Sequence, residues 1–157
     1  MTVSLDENYL KKCIEKNNIK GELVHVGEEV KTVDEASEKL GVKLKYVIKS
    51  ILLIVDGKPH IAIISGENKL DLNKVKKILN AKNIRFATKE EVLKYTGYQP
   101  GAIPPICHKQ EIPIIIDKKI LRYEYVYGGG GSFYHLLKIR TWNLQKISKA
   151  KVKDISK

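Results

Sequence analysis

Val47-Ile48-Lys49-Ser50-Ile51-Leu52-Leu53-Ile54-Val55-Asp56-Gly57, followed by Lys58-Pro59-His60-Ile61-Ala62-Ile63-Ile64-Ser65, is the stretch whose reading decides the fold. The run 47–55 is almost unbroken apolar and β-branched sequence, which predicts a strand buried on both faces. Asp56-Gly57 suits a two-residue hairpin turn, so 58–65 is expected to pair back antiparallel. One charged residue interrupts the run. By strand parity Lys49 shares a face with Ile51, Leu53 and Val55, while Ile48, Leu52 and Ile54 occupy the other face. An ammonium buried there without a partner would cost at least ~2 kcal/mol. Lys49 must therefore snorkel out, pair with a carboxylate, or meet an anionic ligand.

Upstream of this hairpin, a first helix is expected at about residues 6–18, with Leu10, Cys13, Ile14 and Asn17 on one face, and a short strand at 22–26. Thr32-Val33-Asp34-Glu35 reads as a capping box opening a second helix, which Gly41 stops. Downstream, Asp71 caps a third helix with Leu72, Val75, Ile78 and Leu79 inward, and 83–86 is a brief strand. Thr88-Lys89-Glu90-Glu91 opens a fourth helix ending near Tyr95. Strands follow at 112–116, along Tyr123-Glu124-Tyr125-Val126-Tyr127, and at 133–139, with residues 128–131 as the turn before the last. Thr141 is expected to cap a short helix, and 152–155 to form an edge strand. This order predicts an α/β chain, α+β-like in character: a mixed, largely antiparallel curved sheet with helices packed around it.

The chain of 157 residues is 43% hydrophobic and 30% charged. That is enough apolar sequence for one domain, expected to span residues 1–157, and argues against disorder. No apolar run reaches transmembrane length. Residues 1–8 are polar and acidic, without signal-peptide anatomy, and the only cysteines are Cys13 and Cys107. Unpaired thiols in a reducing cytoplasm are the expectation. The net charge of +11 is uneven: residues 118–157 carry 10 basic and 2 acidic side chains, against 19 and 16 before them. A thermophile-like composition accounts for many lysines. It does not account for the loss of counter-charge after Asp117, which points to a polyanionic partner.

Thr96-Gly97-Tyr98-Gln99-Pro100-Gly101-Ala102-Ile103-Pro104-Pro105 cannot continue a helix. It is either a proline-stiffened connector or a loop whose glycines let a ligand approach backbone N–H groups. Gly128-Gly129-Gly130-Gly131-Ser132-Phe133-Tyr134-His135 lacks the Lys-Ser/Thr pair of a phosphate-binding loop. Cys107-His108 has no second pair spaced for zinc, and Cys107 has no evident base to make it a nucleophile. Neither metal nor cofactor is expected. His25 and His60 belong to no constellation. The tyrosines of 123–127 either stack bases or form one half-buried strand face, the second being preferred.

From about Val24 to Ile155 the chain resembles the YbaK/prolyl-tRNA synthetase editing-domain family. The likeness rests on Lys49, Thr96-Gly97-Tyr98, Gly101-x-x-x-Pro105, the Ile-Ile-Asp117 strand end, the glycine turn and His135. It implies a trans-editing aminoacyl-tRNA deacylase that cleaves the ester of a mischarged tRNA carrying alanine, cysteine or serine, with tRNA-Pro favoured. The alternative is a non-catalytic tRNA- or synthetase-binding module of the same fold. The resemblance places Lys49 at the terminal adenosine phosphate or the ester carbonyl, and gives Gly101 and Ala102 the role of carbonyl donors. Substrate binding falls to Ser50, Thr96, Gly97, Ile103, Pro104, Pro105, Gly129, Gly130 and His135. Two positions depart from the pattern: Ser50 follows the lysine instead of asparagine, and Gly129-Gly130 stands where Ala-Asn would be. The implied partners are the 3′ end and acceptor stem of a tRNA and a cognate synthetase, with no membrane.

Overall fold

The computed structural model describes residues 4–157, so the first three residues of the polar N-terminal segment lie outside it. The hairpin forms as its sequence demands. β2 (Ile48–Val55) and β3 (Lys58–Ser65) pair antiparallel from Ile48↔Ser65 to Val55↔Lys58. Asp56 and Gly57 turn the chain with φ of 48° and 82°, the doubly positive geometry that a two-residue hairpin needs. Around this hairpin stand α1 (Glu7–Lys16), β1 (Gly21–His25), α2 (Val33–Leu40), α3 (Leu72–Ile78), β4 (Ile84–Phe86) and α4 (Lys89–Thr96). β5 (Ile114–Asp117), β6 (Tyr125–Gly129), β7 (His135–Arg140), α5 (Thr141–Ser148) and β8 (Lys151–Lys153) follow. Short 3₁₀ turns occupy Leu44–Tyr46 and Lys118–Arg122.

The strands form two sheets where one was expected. A five-stranded sheet runs β4-β2-β3-β5-β8, antiparallel except for the parallel pairs β3–β5 and β5–β8. A three-stranded antiparallel sheet runs β1-β7-β6. A single bridge between Val47 and Tyr127 links them. The unalternating character of β2 and β3 now has its cause. Ile48, Leu52, Ile61 and Ile63 join Leu10, Ile14, Val126, Leu137, Ile139 and Leu144 in a core against α1, α5 and the smaller sheet. Leu53, Val55, Ala62 and Ile64 pack on the opposite face against Val75 of α3 and Ile155. A third cluster, including Val26, Val30, Ala36, Val47 and Leu136, seats α2.

Helix ends follow local chemistry where the cap is local. Thr88 and Glu91 make both halves of a capping box. Thr32 accepts from the Glu35 N–H at 3.1 Å, but the Glu35 carboxylate returns to the Thr32 hydroxyl and not to its backbone. Thr141 is not a cap: its hydroxyl donates to the Tyr123 carbonyl at 2.5 Å, a long-range contact the local sequence does not announce. Gly128 and Gly129 belong to β6 and not to the turn, because both pair with β7.

The two cysteines are not free. Cys13 of α1 and Cys107 form a disulfide across 94 residues of sequence. The separation hid the pairing; packing α1 beside the end of the Gly/Pro loop brings the sulfurs together.

Candidate active site

A cavity of about 360 Å³ lies where α2, the start of β2, the Gly/Pro loop and the β6–β7 corner converge. It exists because β4 covers only Leu53–Val55 of β2, leaving the first half of that edge open on the side away from β3. The open edge explains why Lys49, Ser50 and Ile51 all line the cavity although strand parity sends their side chains to alternate faces. The Leu52 carbonyl points to this edge, where it accepts from Ala87 N–H at 3.0 Å. By alternation, the Ser50 N–H and C=O point the same way. The Ser50 hydroxyl is itself buried and meets no partner among the described residues. A buried hydroxyl without a partner is a position prepared to bond something else.

Lys49 is half-buried and forms no ion pair among the described residues, so of the three fates open to it pairing is excluded. Among the described residues no carboxylate lines the cavity, and Lys31 joins Lys49 on its wall. Lys31 stands 4.9 Å from the centre of the Phe133 ring and 3.4 Å from a Glu29 oxygen. The interior therefore favours a negatively charged or strongly polar guest.

The predicted residues divide into two groups. Lys49, Ser50, Gly101, Ile103, Gly129 and His135 come together on the wall. Ala102, Thr96, Gly97, Pro104, Pro105 and Gly130 lie outside it. The Ala102 N–H donates to the Gln99 carbonyl and the Ala102 carbonyl accepts from Gly131 N–H, both at 3.0 Å. Its only backbone donor is thus committed. The Gly101 N–H, by contrast, meets no acceptor among the described residues, and Gly101 adopts φ of 92°. The Thr96 hydroxyl donates to the Val92 carbonyl at 2.7 Å and accepts from Tyr98 N–H at 3.1 Å. Gly97 ends α4 in the left-handed region at φ of 85°. Pro104 presents its carbonyl to His108 Nε2 at 2.8 Å, and Pro105 packs against Gly128. Burial holds His108 well below the ordinary imidazole range, at about 4, with the Pro104 hydrogen bond opposing.

Gly129 and Gly130 are glycines for want of space. A Cβ on Gly129 would collide with the Ile103 carbonyl, and one on Gly130 with the His135 backbone. The glycine corner and the Gly/Pro loop thus touch backbone to backbone. His135 stacks edge-to-face on His25, with ring centres 4.9 Å apart. Its Nδ1 lies 2.8 Å from the Ser132 hydroxyl, which also accepts from Tyr134 N–H at 3.2 Å.

Sequence reading missed the contribution of α2. Lys31, Thr32, Val33 and Ala36 form one wall. The capping residue Thr32 marked a helix start, but nothing local said that this start would face Lys49. Among the described residues no group of three or more His, Cys, Asp or Glu side chains is placed to hold a metal ion. Cys107 is in the disulfide and His108 is engaged by Pro104, so they do not form a metal pair.

A family model described as an aminoacyl-tRNA editing domain matches residues 27–147. A proline–tRNA ligase of Shouchella clausii is 35% identical over 112 residues, covering 71% of this chain and 20% of the ligase. One from Bacillus licheniformis is 38% identical over 88 residues, covering 56% and 15%. The matches thus span a fifth or less of these ligases. Among solved structures, a hypothetical protein superposes with a TM-score of 0.90 at 28% identity, over 95% of this chain and 99% of the other. A candidate trans-editing enzyme for prolyl tRNA synthetase superposes with a TM-score of 0.88 at 25% identity, over 96% of both.

Proposed function

Because the chain belongs to the aminoacyl-tRNA editing domain family, we propose that residues 1–157 act as one editing domain, a deacylase working in trans on mischarged tRNA. The observation that carries this reading is the cavity itself, whose wall brings together Lys49, Ser50 and Gly101, with no ion pair for Lys49 and no acceptor for the Gly101 N–H among the described residues. An aminoacyl ester is already activated, so the protein has only to place water and stabilise charge. Water adds to the ester carbonyl, and negative charge develops on its oxygen. Gly101 N–H is the donor for that oxygen; Ser50 lines the pocket and Ala102 shapes the loop. Lys49 neutralises the neighbouring phosphate or the oxyanion as a compact point charge. The tetrahedral intermediate then expels the ribose oxygen, which takes up a proton, leaving free amino acid and intact tRNA. His135 helps to define the aminoacyl pocket.

A cavity that must also seat an adenosine leaves room for a small side chain. Alanine, cysteine and serine on tRNA-Pro are the proposed substrates, the last supported by likeness to the prolyl synthetase relatives. A synthetase rejects small apolar competitors by only ~1–3 kcal/mol, which is why a second sieve is useful. Docking to prolyl-tRNA synthetase and work in the cytoplasm belong to the same proposal. Intracellular disulfides do occur in hyperthermophiles. Among the described residues no helix is long and apolar enough to cross a membrane.

The test is hydrolysis of tRNA-Pro charged with alanine, cysteine or serine by wild type and Lys49→Ala. Wild type should release amino acid from at least one, and Lys49→Ala should be slower by ~100-fold or more, the scale of a lost oxyanion contact. Release at the spontaneous rate from all three would leave a binding module and remove the enzyme.

A further inference from the structure

The outer face of the three-stranded sheet continues directly out of the cavity. In register, Gly129 pairs with Leu136, Tyr127 with Lys138 and Tyr125 with Arg140. Period-two alternation puts these six on one face, while Val126, Leu137 and Ile139 point into the core. Gly129 and Leu136 line the cavity. The face therefore leads away from it in two steps of roughly 6.6 Å, first Tyr127 and Lys138, then Tyr125 and Arg140. All four side chains are half-exposed. Lys138 Nζ and the Arg140 guanidinium lie 4.6 and 4.7 Å from the centre of the Tyr125 ring. The ring holds both cations in place without neutralising them. A second cluster stands beside the far end, where Lys45 lies 5.3 Å from the Tyr46 ring and 5.8 Å from that of Tyr123. Acidic groups on this face are few and exposed. Glu124 pairs with Arg140 at 3.0 Å and Glu22 lies opposite Lys138, contacts that an incoming polyanion displaces at little cost.

Alternating aromatic surface and fixed cations, in line with a cavity for the last nucleotide, match a single nucleic acid strand and not a duplex. Bases stack on exposed rings and on guanidinium planes, while phosphates follow the cations. Resting on the deacylase reading, we infer that this face is the track for the unpaired 3′ end of the tRNA, with Tyr127, Lys138, Tyr125 and Arg140 holding the nucleotides that precede the terminal adenosine.

The probes are a fluorescent single-stranded RNA ending in CCA, a blunt RNA duplex, alanyl-adenosine and mischarged tRNA. Lys138→Ala/Arg140→Ala should weaken single-strand binding about tenfold and lower the salt slope by about 1.4, as for two lost phosphate contacts. Tyr127→Ala should weaken it by roughly 5- to 100-fold. Lys76→Ala/Lys77→Ala, a matched loss of charge on α3, should change neither. Hydrolysis of mischarged tRNA should fall with the binding while that of alanyl-adenosine stays at the wild-type rate. Unchanged single-strand affinity and slope in Lys138→Ala/Arg140→Ala overturns the track, as does an equal loss for the duplex. A wild type that binds the single strand through these residues yet hydrolyses neither ester keeps the track and removes the deacylase.

Discussion

Breaking the Cys13–Cys107 bond is the perturbation whose size follows most directly from the fold. The disulfide closes a loop across 94 residues. The chain-entropy relation for a loop of that length gives about 4.7 kcal/mol of stabilisation at 25 °C. Residual structure in the unfolded chain reduces this, so ~2–4.7 kcal/mol is expected. For a chain of this length each kcal/mol moves the melting temperature by about 2–4 °C. Reductant, or Cys13→Ser with Cys107→Ser, should thus lower it by about 4–19 °C in thermal unfolding followed by circular dichroism. Alkylation in denaturant without reductant, read by intact mass, establishes whether the bond is present at the start. A bonded protein whose melting temperature falls by less than ~2 °C on reduction would refute the reasoning. So would a freshly purified protein in which both thiols alkylate. Cys107 closes the segment holding the Gly/Pro loop against α1, so the reduced protein should also deacylate more slowly below its melting temperature.

Three further outcomes follow from the same geometry. Gly129→Ala would drive a Cβ into the Ile103 carbonyl and should cost ~1–3 kcal/mol in denaturant unfolding and at least ~10-fold in deacylation. Unaltered stability and rate would deny the close approach of corner and loop. His108 is held neutral in the fold, with its pKa depressed to about 4 from an unfolded value near 6.5. Its contribution is complete above pH ~6.5 and is lost as pH falls through about 4, by at most ~3 kcal/mol. His108→Gln should flatten the acid limb of the stability curve, and an identical limb would remove the assignment. Ser132→Ala should slow deacylation by ~2- to 10-fold, since one neutral hydrogen bond orients the His135 ring. An unchanged rate would deny that this hydrogen bond positions the ring.

Much of this molecule is legible residue by residue. The hairpin 48–65, the Thr88–Glu91 box, the Asp71 cap and the Gly41 stop are set by groups within a few residues of one another, and each appears as read. Other positions misled for a consistent reason. Thr141 looked like a cap, but its hydroxyl is taken by Tyr123, and Gly128-Gly129 looked like a turn, but pairing with β7 extends it. Of the candidate site, Lys49 drew notice because a charge in an apolar strand is expensive. Ala102 and Gly101 could not be told apart, because only the folded loop shows which N–H is spent.

What the sequence determined alone was whatever short-range forces decide: hydrophobic period, turn chemistry, helix caps and the charge asymmetry of the last forty residues. Tertiary structure decided what depends on chain closure. It joined Cys13 to Cys107, split the strands into two sheets, brought the start of α2 opposite Lys49, and left half of one β2 edge open as a cavity. Each of these sets residues remote in sequence side by side, and such contacts are fixed by the packing of whole elements, for which no local pattern carries a signal.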